Sequence, residues 1–131
     1  MGGILPFVSA MRSEGLTPII GCEFYFVDDP LDKSVDNRKA AHVILLAKNY
    51  DGYRNLMKLS YLSYHDGFYF RPRIGMKWLK QYAEGLICLT ACLGGILSVE
   101  HWREKDGIPT TGLASRHREP GQHLIFSFVL A

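Results

Sequence analysis

The sequence holds only three cysteines, Cys22, Cys88 and Cys92, with no CxxC pair among them. So sparse and odd a set suggests neither a disulfide framework nor a zinc ribbon, and reduced thiols are expected. Net charge is scarce too. Fifteen Lys and Arg against thirteen Asp and Glu leave +2, which by itself selects neither nucleic acid nor an anionic membrane as partner. No apolar run reaches the roughly 20 residues of a bilayer helix. The longest uncharged stretch, Gly85 to Val99, is broken by Gly94 and Gly95, so no membrane span is expected. The start, Met1 to Pro6, lacks the basic region of a secretory signal, so a cytoplasmic location is expected. There is no GxSxG elbow, P-loop or GxGxxG pattern, which removes the usual signs of serine hydrolases and nucleotide binding. What is present is a globular composition, 47% hydrophobic and 12% aromatic over 131 residues, enough for one domain with one core.

Leu5, Val8 and Met11 recur at helical spacing before Gly15, which predicts an amphipathic helix over 4–14 with a left-handed cap. Pro18 to Val27 is an apolar, aromatic strand stopped by Asp28-Asp29-Pro30, with Glu23 inside it. Residues 28–40, polar and without period, are expected to be a mobile surface loop. The next strand is His42 to Ala47. Asn49 or Asp51 caps a helix whose apolar side carries Tyr53, Leu56, Met57, Leu59 and Tyr61. Phe68 to Arg73, aromatic, basic and broken by Pro72, predicts an irregular or edge segment. A helix over 76–82 then leads into a buried-type strand, 86–90. The turn Ala91 to Gly95 opens a possible last helix from Ile96. Strands alternating with helices predict an α/β fold with a largely parallel sheet, an arc or barrel. Beyond Glu104 breakers dominate, and little regular structure is expected. Leu124 to Ala131 is apolar, and reads as an added edge strand or an aggregation hazard.

Ligands of parallel α/β folds gather at strand ends. Glu23, His42 and Cys92 stand at such places, and a carboxylate, an imidazole and a thiolate form a divalent-metal ligand set. Each also has an ordinary reading: an ion-paired Glu23, a hydrogen-bonded structural His42 and a small buried Cys92. Arg71 and Arg73, beside Phe68, Tyr69 and Phe70, suit phosphate or nucleic acid, or equally a loop anchored by hydrogen bonds.

Read together, four blocks in order resemble a known family. They are Gly15-Leu16-Thr17-Pro18-Ile19-Ile20-Gly21-Cys22-Glu23-Phe24-Tyr25; His42 to Asn49 with Gly52-Tyr53-Arg54-Asn55-Leu56; Gly67-Phe68-Tyr69 with Arg71-Pro72-Arg73-Ile74; and Glu84 to Gly95. The family is the PHP (polymerase and histidinol phosphatase) domain of bacterial replicative DNA polymerase III alpha subunits. The resemblance covers about residues 3–97 and implies an incomplete PHP-type distorted βα barrel, a partial parallel sheet with flanking helices. Residues 98–131 are expected to be a poorly ordered tail outside the family pattern.

The resemblance also implies function. In the family, strand ends hold up to three divalent ions (zinc, manganese or magnesium) through nine ligands, and Glu23, His42 and Cys92 match three of them. An incomplete site without full metal occupancy and without hydrolysis is therefore expected. The expected role is that of a PHP portion of the alpha subunit in DNA replication, without the nucleotidyl-transfer centre. Its expected partners are the other polymerase domains, other replisome subunits, and DNA through them. The alternatives are a stand-alone metal-dependent phosphoesterase of the same superfamily, and a noncatalytic or decayed gene product.

Overall fold

The computed structural model describes residues 2–90, 95–96 and 127–129. In chain order they form α1 (Ile4–Ser13), β1 (Gly21–Val27), a short 3-10 turn (Asp36–Arg38), β2 (Ala41–Ala47), α2 (Tyr50–His65), β3 (Arg73–Gly75), α3 (Met76–Gln81), β4 (Leu86–Leu89) and β5 (Ser127–Val129). The turn at Ala91 to Gly94, the helix expected from Ile96 and most of the tail lie outside the described residues. In the apolar C-terminal stretch, Ser127–Val129 pairs antiparallel with β4.

The five strands make one sheet in the order β3-β1-β2-β4-β5. It is a mixed sheet rather than the largely parallel one the alternation predicts. β1 and β3 are parallel, while β1 with β2 and β2 with β4 run antiparallel. The reason lies in the connection: parallel neighbours need a crossover, usually a full helix. Residues 28–40 supply only the 3-10 turn, so the chain returns directly beside β1.

One face of the sheet is dry. Phe24, Phe26, Val43, Leu45 and Cys88 alternate onto it and pack with Leu56 and Leu59 of α2, Ile74 and Leu86. α2 begins where Asn49 accepts the Gly52 N–H at 2.9 Å, satisfying one of the unpaired donors of a helix start. Its buried residues are Gly52, Leu56, Leu59 and Ser63, a stripe at offsets of four, three and four. Met57 and Tyr61, expected inside, are exposed. The polar Ser63 takes the inner position because its hydroxyl donates to the Ser60 carbonyl at 2.7 Å. α1 ends with Gly15 in the left-handed region (φ 72) and with Leu16 N–H donating to the Met11 carbonyl at 2.9 Å. None of its own residues is buried.

Residues 28–40 are not a loose loop. Asp29 and Asp32 accept the N–H groups of Leu31 and Ser34 at 2.9 and 2.8 Å, local turns of the kind short carboxylates favour. The segment is then tied across the molecule by two cations, Lys33 and Arg73. The Lys33 ammonium donates to the carbonyls of Asp66 (2.6 Å), Phe68 (2.9 Å) and Pro30 (3.4 Å).

Candidate functional site

β1 and β2 pair so that Tyr25 stands opposite His42 and Glu23 opposite Ile44. Paired residues of an antiparallel ladder share a face and diagonal neighbours are within reach of long side chains. Glu23 and His42 are such a diagonal pair, on the face away from the core. His42 Nδ1 and Glu23 Oε1 lie 3.1 Å apart, with the histidine side chain 32% and the glutamate 58% exposed. The His42 and Tyr25 rings meet in a T-shaped contact, centroids 5.3 Å apart and planes 74° from parallel. Over the same tyrosine lies the Arg71 guanidinium, 4.9 Å from the ring centroid. Tyr25, which sequence reasoning did not single out, thus joins the carboxylate and imidazole to a cation. Its signal was the period of two in Glu23, Tyr25 and the fixed pairing to His42, legible only once the register is known.

Cys92 lies outside the described residues. Gly95, three positions on, forms a parallel bridge with His42, so the chain comes back to the start of β2 just after that cysteine. The other two thiols stand on the core face. Cys88 is buried, and burial pushes its thiol up to about 11; Cys22 is half-buried and raised for the same reason, with Glu23 adding to it and the chain's amino terminus opposing it. Protonated, apolar-packed thiols are poor ligands.

The Glu23 and His42 donor atoms fit a shared divalent ion. Two donors on one tetrahedral zinc lie about 3.4 Å apart at bond lengths of about 2.1 Å, near the observed separation. The same distance serves a plain hydrogen bond. A closed site takes four ligands, and among the described residues no third His, Cys, Asp or Glu joins these two.

Arg73 is not placed to meet phosphate. It is buried, with Nε donating to Gly67 O at 3.0 Å, Nη1 to Asn37 O at 2.7 Å, and Nη2 to Pro30 O and Asp32 O at 3.0 Å each. Its guanidinium carbon also lies 5.1 Å from the Tyr69 ring centroid. Burial lowers its pKa from the ordinary arginine value, with Asp32, Tyr69 and Asp29 opposing the shift. Its role is to organise backbone, because five donors in a rigid fork suit converging carbonyls. Arg71, two residues earlier, is exposed.

The PHP domain family model matches residues 1–111. The chain belongs to the PHP domain family. It is 47% identical over 102 residues to the DNA polymerase III subunit alpha of Aquifex aeolicus, covering 72% of this chain and 9% of that protein. To the same subunit of Treponema pallidum it is 42% identical over 126 residues, 94% of this chain and 10% of that protein. To that of Helicobacter pylori it is 44% identical over 95 residues, 72% of this chain and 8% of that protein. The chain therefore spans about a tenth of the length of these relatives. No helix among the described residues is long and apolar enough to cross a membrane.

Proposed function

We propose that this chain supplies part of the PHP domain of a DNA polymerase III alpha subunit. It would serve DNA replication in the cytoplasm as an architectural portion of the polymerase, without a nucleotidyl-transfer centre of its own. The observation that carries the reading is the similarity to alpha subunits, 42–47% identical across the PHP region. Its partners would be the remaining polymerase domains and other replisome subunits, with DNA reached through them.

In this reading Glu23 and His42 are ligand positions for zinc, manganese or magnesium, with Cys92 as a third. When bound, such an ion supplies Lewis-acid activation of water toward a phosphoester. Glu23 Oε1 and His42 Nδ1 would be the donor atoms, while Tyr25 packs the ring from one side. With a carboxylate, an imidazole and one thiol the site is open, so this chain alone would bind metal weakly and would not hydrolyse phosphoesters. Residues 98–131 would lie outside the metal-holding portion.

Titration calorimetry with zinc and with manganese tests the ligand positions. The expected result is weak binding that Glu23→Gln and His42→Ala each reduce further. A primer-extension assay and a phosphoesterase assay test the architectural role. Extension of a primed template by the chain, or phosphoester turnover lost in both variants, would overturn it.

A further inference from the structure

The end of α2 and the segment after it present a row of rings to solvent. Tyr61, Tyr64, Phe68 and Phe70 are 54%, 65%, 50% and 62% exposed, whereas aromatic side chains ordinarily contribute to cores or interfaces. The Tyr64 and Phe68 rings stack with centroids 6.4 Å apart and planes 23° from parallel. Cations are interleaved with them. The Lys58 ammonium lies 5.4 Å from the Tyr61 centroid, the Arg38 guanidinium 4.3 Å from that of Phe70, and Arg71 follows Phe70 in the chain. Asp66, a carboxylate in this stretch, is engaged by Nδ1 of His65 at 2.8 Å.

A second observation is independent of exposure. Phe70 has φ 57, and it is the one non-glycine residue in the left-handed region among the described residues. For a bulky side chain that backbone is strained. A tight turn closed by the Tyr69 N–H donating to Arg71 O at 3.0 Å imposes it, and the turn leaves the Phe70 ring exposed beside Tyr69 and Arg38. Strain of this kind gathers at ligand-binding positions.

We propose that this row binds single-stranded nucleic acid, with bases stacking on Tyr64, Phe68 and Phe70 and phosphates meeting Arg38 and Arg71. A ligand that alternates flat π-faces with negative charge matches rings alternating with guanidinium and ammonium groups. Bases within a duplex do not offer their faces, which selects the single strand. Neither Glu23 nor His42 takes part, and Arg71, over the Tyr25 ring, is the one residue shared with the surroundings of that pair.

The test is fluorescence anisotropy of the full chain with a labelled oligothymidylate of about 12 nucleotides, a length within the site sizes of stacking proteins, at low and at physiological salt. Binding that weakens with salt is expected, and Phe70→Gly and Tyr64→Ala should each weaken it about tenfold or more. Because glycine tolerates the left-handed backbone, Phe70→Gly should melt no lower than the parent chain. If Phe70→Gly loses its fold, Tyr64→Ala decides, and unchanged affinity in that variant overturns the proposal. No binding at low salt, or equal affinity for a duplex of the same length, also overturns it. So does self-association abolished by these variants with no oligonucleotide bound, which would assign the row to a protein partner.

Discussion

Gly52, in the first turn of α2, and Gly85, in the turn before β4, are packed backbone to backbone: a Cβ on Gly52 would collide with the Gly85 carbonyl, and one on Gly85 with Gly52 N and the Asn49 side chain. Gly85 also carries φ 70, and its carbonyl accepts the Lys48 N–H at 2.8 Å. The contact locks the start of α2, its Asn49 cap and the sheet into one arrangement.

Gly52→Ala should therefore destabilise the chain by about 1–3 kcal/mol, the usual cost of forcing an extra carbon into a packed contact. Gly85→Ala should cost more, because backbone strain adds to the collision. Thermal melts followed by circular dichroism check both, and a Gly85→Ala variant as stable as the parent would contradict the packing.

Arg73→Met should lower stability by about 3 kcal/mol or more, since it strands buried carbonyls that now accept from the guanidinium. Arg73→Lys should rescue only part of this, because an ammonium cannot span acceptors arranged for a planar fork. Urea unfolding of the three proteins measures the order parent, lysine, methionine. Equal midpoints would mean that the carbonyls find water instead.

The Cys88 thiol, raised by burial to about 11 from 9.0, favours the fold in its neutral form. That contribution is complete below the unfolded value near 9 and is lost as pH rises through about 11. Stability should fall across this window, with about 3 kcal/mol at stake for a shift of about two units. Cys88→Val should flatten the decline, as measured by denaturant midpoints at pH 8 to 11. An unchanged alkaline slope would shift the cause to another group.

The Glu23 and His42 pair is partly open to solvent, its side chains 58% and 32% exposed, and pairs of this kind at a surface contribute about 0–1 kcal/mol. Glu23→Gln and His42→Ala should leave the metal-free melting temperature within a few degrees of the parent. A large loss in either would give the pair a packing role and weaken the ligand reading.

The strands at 21–27, 41–47 and 86–89 were legible because apolar and β-branched residues run to strand length between breakers, and α2 because Asn49 precedes a helical stripe. What local pattern could not show was set by distant partners. Residues 28–40 read as a loose loop because their anchors, Arg73 and the carbonyls of Asp66 and Phe68, lie more than thirty positions away. For the same reason Arg73 read as a phosphate contact: a guanidinium among aromatic residues is the same sequence whether it faces solvent or four inward-turned carbonyls. On α2, Tyr61 and Met57 satisfied helical spacing as well as Ser63 did, and only the Ser60 carbonyl decides between them. The direction of β2 depended on residues 28–40 containing no full helix. Glu23, His42 and Arg71 were named from residue type, but the ring of Tyr25 that links them follows from strand register.

The carbonyl cradle around Lys33 and Arg73 has a consequence for proteolysis. Lys33, Arg38 and Lys39 make residues 28–40 the kind of exposed, basic segment that trypsin selects by composition. A protease cleft, however, must draw the chain into an extended conformation over several residues. Here the lysine that would enter the cleft holds carbonyls at 66 and 68, and the loop is strapped to the body from both sides. Cleavage there must wait for that strap to open, so the nicking rate at Lys33 reports how often the cradle comes apart.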